Sequence, residues 1–227
     1  MRTSSPLARI ILLAITVYVS LGCITTARRS PVAIKPEDLS IGASYSRGYH
    51  VDDQTGYHMS LLTIDFRRGM GRGMDWGLIW TYDWTDNNGS RFSTIWADYR
   101  WQLTNREATP YKPMVSLGYA LGMNYKQSNR DWTVSFPAVV GMKFEKITAM
   151  LNARLDYISN TISPIPQAGT APRTIWGIGW EIPLAPDKNG YGRRFDIEIE
   201  RVNSLWGGPG MDGVLFNFTA NWDLRLK

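Results

Sequence analysis

The chain has 227 residues, 44% hydrophobic and 12% aromatic, with ten Trp but one Cys and two His. Its formal charge of +5 includes Arg2 and Arg9 of a leading apolar segment without acids. The remainder therefore keeps 23 basic and 20 acidic side chains, a net +3, too mild to imply a nucleic-acid partner. One cysteine excludes an internal disulfide, and with two histidines it offers no credible metal site and no reason to expect a cofactor.

The first element, residues 1–22, divides into a basic start, an apolar run from Ile10 and small residues before Cys23. It reads as a secretory signal peptide. A spanning helix needs about 20 apolar residues, and this run gives way instead to Thr25, Thr26, Arg28 and Arg29. Cleavage falls before Cys23, or after Ala27 with Thr25 and Ala27 as the small residues. Ser20-Leu21-Gly22-Cys23 resembles the lipobox of bacterial lipoproteins, with its first two residues exchanged. The resemblance implies that Cys23 is acylated and becomes the N-terminus. Residues 23–39 show no periodicity and read as a flexible periplasmic lead-in, followed by a single domain over 40–227.

From there the pattern repeats every two residues, after weaker segments near 41–50 and 56–67. In Met74-Asp75-Trp76-Gly77-Leu78-Ile79-Trp80-Thr81-Tyr82-Asp83-Trp84 every second side chain is large and apolar. A helix would scatter those tryptophans around its circumference, whereas a strand lines them on one face. A weaker segment follows near 91–102. Alternation is then clear at Val115 to Met123, Trp132 to Phe144, Ile147 to Tyr157, Trp176 to Ile182, Phe195 to Ile199 and Val214 to Leu224. Turn-forming residues separate the segments: Asp52 to Gly56, Gly69 to Gly73, Asp86 to Gly89, Ser128 to Asp131 and Gly207 to Gly210. The fold class predicted is all-β, a closed antiparallel up-and-down transmembrane β-barrel of about ten strands, eight being the smaller alternative. If the first strand rises from the periplasm, the turn at Glu145-Lys146 is periplasmic and the segment 159–172 lies outside. The links at 103–112 and 183–192 are then periplasmic, and longer than is usual there.

The second face of each strand decides the surroundings. Arg194, Asp196, Glu198 and Glu200 alternate with Phe195, Ile197 and Ile199. Such a ladder cannot face hydrocarbon, where a central charge costs about 2–4 kcal/mol. The apolar faces then point either outward into lipid or inward around a ligand, as in a lipocalin. Bulk favours the first, because Trp76, Trp80, Trp84, Trp132, Trp176, Trp180 and Trp222 would overfill a small lumen, while Ser116, Gly118, Ala120 and Gly122 could line one. In this pattern residues 40–227 resemble the small outer-membrane barrel proteins of Gram-negative bacteria. The resemblance implies a place in the bacterial outer membrane, with its lipid as partner. The ending Trp222-Asp223-Leu224-Arg225-Leu226-Lys227 departs from it, since such barrels usually finish on an aromatic residue.

The lumen side is expected to carry Asp65, Asp75, Asp83, Asp98, Asp156, Glu181, Asp196, Glu198, Glu200 and Asp223 against Arg100, Lys143, Arg154, Arg194 and Arg225. Buried charges need partners. They form either a salt-bridged filling or a narrow aqueous path, whose excess of acids would favour cations or a small solute. His58 and Ser60 share one side of a strand, and His-x-Ser is similar to the pair of outer-membrane lipid A deacylases. There, however, it lies late in the chain with a Glu after it, whereas here the next acid is Asp65. The stretch from Tyr82 to Asp86 is similar to the acidic pair of outer-membrane aspartate-type proteases, yet neither His50 nor His58 supplies their partner. Gly69-x-Gly71-x-Gly73 precedes a strand, not the helix that a phosphate loop requires. The expected function is a structural or weakly conducting outer-membrane barrel without a catalytic site. The alternatives are an outer-leaflet lipid A hydrolase using His58 and Ser60, and a periplasmic lipocalin-like lipoprotein.

Overall fold

The structure, a computed structural model, describes residues 30–50, 58–84, 93–126, 129–159, 171–184, 192–204 and 213–225. Cys23, the proposed cleavage sites, and the expected turns at 52–56, 86–89 and 207–210 lie outside them. Ten strands follow in order: β1 (Asp38–His50), β2 (His58–Gly71), β3 (Met74–Asp83), β4 (Ser93–Gln102), β5 (Pro113–Lys126), β6 (Asn129–Phe144), β7 (Ile147–Ser159), β8 (Ala171–Leu184), β9 (Gly192–Ser204) and β10 (Gly213–Arg225). Each pairs antiparallel with its chain neighbours, and β1 pairs with β10 from Asp38↔Arg225 to His50↔Gly213. The ring is closed, so no strand edge is left with unpaired main-chain groups.

Turn chemistry sets the register at the end that carries both termini of the sheet. Gly71 pairs with Met74 across Arg72-Gly73, whose φ angles of 54° and 76° give the doubly left-handed turn that suits strand twist. Gly69, read from sequence as part of this turn, belongs instead to the inner face of β2, and a bulge separates it from Gly71. Glu145-Lys146 makes a second tight turn between Phe144 and Ile147. Short turns mark the periplasmic end of such barrels. The longer link 103–112 at this end is held by Asn105, whose Nδ2 donates to the carbonyls of Thr109 and Lys112, both at 3.0 Å, while its Oδ1 accepts from the Thr109 amide at 2.9 Å. Mid-strand Pro137 has no N–H, and the β5–β6 ladder skips Gly118 and Tyr119 opposite it.

The two faces differ as the alternation predicts. Outside, Trp80, Trp132, Trp222, Leu78, Leu121, Leu151 and Phe136 are exposed. Ile178 and Val214 share that face by strand parity but are buried. Toward the periplasmic end Tyr99 and Tyr119 stack at 5.7 Å, with Trp101 4.5 Å from Tyr99; Phe66 leans on Trp76 at 6.2 Å. Trp80 and Tyr82 stack at 6.0 Å nearer the other end, and Tyr49 meets Phe216 there at 6.2 Å. Aliphatic Ile64, Leu78, Ile95 and Leu121 lie between, the arrangement of an apolar band with two aromatic girdles. Inside, the buried residues described are mainly Ser, Thr, Asn, Gln, Asp, Glu and Arg, with apolar side chains among them that include the cluster of Ile79, Trp96 and Ala120, and Leu61, Met114, Val139, Met150, Ile175 and Leu215. A ligand-carrying barrel would have its oily face inward, so the lipocalin-like alternative is corrected by this orientation.

The lead-in expected to be flexible up to residue 39 ends earlier. β1 already begins at Asp38, and Pro31 and Ile34 of the preceding segment are buried within the barrel.

Candidate functional site: the charged lumen and its periplasmic mouth

Three neighbouring strands build the centre of the charge network. Asp75 on β3 faces Arg100 on β4, while Gly77 on β3 lies between Arg67 on β2 and Asp98 on β4. Arg67 gives Nη1 to Asp75 Oδ1 at 2.6 Å and Nη2 to Asp98 Oδ2 at 2.7 Å; Arg100 donates Nε to Asp75 Oδ2 at 3.1 Å and pairs with it through Nη2. All four side chains are buried, Asp75 completely. Arg67 reaches Asp98 only because Gly77 has no side chain: a Cβ there would stand 2.5 Å from Asp98 Oδ1 and 3.0 Å from Arg67 Nη2. Gly77→Ala should therefore lower stability by about 1–3 kcal/mol, read as an earlier urea midpoint in detergent micelles; an unchanged midpoint would show that the ion pairs can rearrange freely.

A second group lies across the β1–β10 seam. Arg194 on β9 contacts Glu181 at 3.2 Å, Asp223 at 3.0 Å and Ser40 Oγ at 3.1 Å, which joins strands on both sides of the closure. Asn221 donates to Asp196 at 2.6 Å, and Gly42 leaves the space that Asp65 and Asn221 share. Farther along, Arg154 pairs with Asp156 at 2.9 Å and lies 6.0 Å above the Trp96 ring. The inward indole of Trp96 occupies space left by Gly122. Asn217 donates to Glu200 at 3.2 Å; Glu198 on β9 and Asp83 on β3 are buried as well. Lys143 is half-buried near the periplasmic end of β6, and Arg225 ends β10 with its side chain outside the described residues.

Arg67, Trp96 and Gln102 were not singled out from sequence. Parity could have found them: Arg67 is two residues from Asp65, and Trp96 and Gln102 share a face with Asp98 and Arg100.

The lead-in segment enters this network. Asp75 Oδ2 accepts the Ile34 amide at 2.9 Å and Gln102 Oε1 the Ala33 amide at 2.8 Å, while Arg100 Nη1 donates to the Ser30 carbonyl. Gln102 is itself held through Nε2 by the carbonyls of Thr104 and Asn105, at 3.3 and 2.9 Å. The cavity left where Ser30 and Ile34 meet Arg67, Arg100, Arg194 and Asp65 measures about 20 Å³.

Of the pair His58 and Ser60, only the serine side chain lies within the described residues. Ser60 points outward and shares a 3.3 Å hydrogen bond with the Tyr45 hydroxyl.

No protein-family model matches the sequence, and no curated protein matches it. Three solved structures that it is similar to are bacterial. The β domain of the Bordetella autotransporter Brka is 10% identical, with a TM-score of 0.50 over 82% of this chain and 98% of that one. The translocator domain of the autotransporter NalP from Neisseria meningitidis is 12% identical, with a TM-score of 0.42 over 96% and 95%. A bacterial polysaccharide outer membrane secretin is 10% identical, with a TM-score of 0.36 over 85% and 99%. The fold is that of a bacterial outer-membrane β-barrel. This follows from a closed ring whose aromatic, oily face is outward and whose charges are inward, and the Brka domain shares it.

Proposed function

We propose that this protein is an integral outer-membrane barrel with a sealed lumen, anchored by its apolar face in lipid and acting through what it holds and displays, not by passing solutes. One observation carries the reading. Beside the ion pairs, the cavity that Ser30 and Ile34 share with Arg67, Arg100 and Arg194 measures about 20 Å³, room for about one water molecule, and the segment before β1 lies across the mouth beside it. A hydrated ion does not fit. In planar bilayers the purified, folded chain should therefore give no conductance steps in molar potassium chloride. Cation-selective steps would replace this reading by the narrow acidic path that the excess of lumen carboxylates suggests.

Export fits the same reading. Residues 1–22 have the make-up of a signal peptide, and Cys23 follows a lipobox-like stretch. Labelled palmitate should enter the wild-type chain and not Cys23→Ser; equal absence from both would place cleavage after Ala27.

A further inference from the structure

The segment before β1 forms no strand, yet it is held as a ligand is held. Among the described residues, its hydrogen bonds to the barrel wall use main-chain atoms, the amides of Ala33 and Ile34 and the carbonyl of Ser30. Their partners are side chains of the wall: Gln102, Asp75 and Arg100. Those side chains also have partners in the wall itself, Gln102 in the link at 104–105 and Asp75 in two guanidiniums. Glycines make the room. A Cβ on Gly69 would run into the carbonyls of Ile34 and Lys35, and one on Gly141 would stand 2.5 Å from the Pro31 ring. Gly69 is on β2 and Gly141 on β6, which lies opposite β1 in a closed ring of ten. The segment therefore crosses the mouth from one wall to the other, with Pro31 and Ile34 buried.

We propose that the periplasmic mouth of the lumen is a binding site for irregular polypeptide main chain, occupied here by the protein's own residues 30–34, which bend at Pro31 and Val32. Asp75 and Gln102 accept successive amides, Arg100 binds a carbonyl, and the pits at Gly69 and Gly141 admit the backbone and a compact ring. Among residues 30–34, Pro31 and Ile34 contribute the buried side chains, so the selection is for a bent chain with a ring residue three positions before a branched apolar one. Because these wall side chains have partners of their own, binding loses little to reordering them. The sheet closes from Asp38 onward, so the segment can leave without opening the ring.

The test uses the full chain, folded in detergent and checked by its altered gel migration, with a fluorescent peptide of residues 30–37. Wild type should exclude the peptide, because its own tethered segment competes at an effective concentration in about the millimolar range. Ala33→Pro with Ile34→Pro removes both donated amides and leaves every wall residue intact. That variant should bind the peptide at least about tenfold more tightly than wild type does, which corresponds to about 1.4 kcal/mol. A peptide carrying the same two prolines should not bind. Equal binding to wild type and variant, or none to a folded variant, would overturn the proposal. Should the double variant not fold, hydrogen exchange in wild type decides. The amides of Ala33 and Ile34 should exchange at least about tenfold more slowly than in the free peptide, and equal rates would sink the site. Neither readout depends on conductance, so the sealed-lumen reading can fail while this one stands, and the reverse.

Discussion

Asp75→Ala is expected to destabilise the folded barrel by about 3–5 kcal/mol, the cost of removing one partner from a buried ionic group. Asp75 is wholly buried and is the acceptor for Arg67, Arg100 and the Ile34 amide. Its removal leaves Arg100 without the carboxylate it faces across the β3–β4 ladder and Arg67 with Asp98 alone. Replacing all four members with apolar residues of similar volume should cost much less, since no uncompensated charge then remains. The measurement is equilibrium urea unfolding in micelles, followed by tryptophan fluorescence. If the single and fourfold replacements shift the midpoint equally, the network acts by packing and not by charge.

The second large effect lies on the opposite face. Leu78 is exposed, points outward and stands halfway along β3 between Trp76 and Trp80. Met70 is exposed near the periplasmic end of β2, two residues before the turn. Leu78→Arg should cost about 2–4 kcal/mol in a lipid bilayer, and Met70→Arg about 0–1, because the penalty for a charge falls from the midplane to the interface. Folding into vesicles, compared at several urea concentrations, reads both. Equal small costs at the two positions would mean that Leu78 does not meet hydrocarbon.

Much of this architecture was legible in the sequence, because a strand has one period and two environments. Met74 to Trp84 alternates bulky with small or acidic side chains, and the structure turns Trp76, Trp80 and Trp84 out and Asp75 and Asp83 in. The small residues Ser116, Ala120 and Gly122 face the lumen for the same reason. Which charge meets which was not legible. The Arg67 to Asp98 pair spans three strands through the gap at Gly77, and that depends on registers fixed by a bulge at Gly69 and Gly71 and by a two-residue turn. The seating of residues 30–34 was hidden more deeply. The segment has no periodicity, and its contacts join main-chain atoms to side chains 41 to 70 positions away. Gly69 showed the same limit, since glycine in a strand interior signals close approach of another backbone as readily as a turn.

The central claim is the direction in which the side chains point, and single-tryptophan variants tested with lipids brominated in their acyl chains measure it. A chain keeping only Trp80, with the other nine tryptophans changed to phenylalanine, should be strongly quenched, because Trp80 is 43% exposed on the outer face. A chain keeping only Trp96, 2% exposed and facing the lumen, should not be. Quenching of Trp96 with Trp80 untouched would contradict the account.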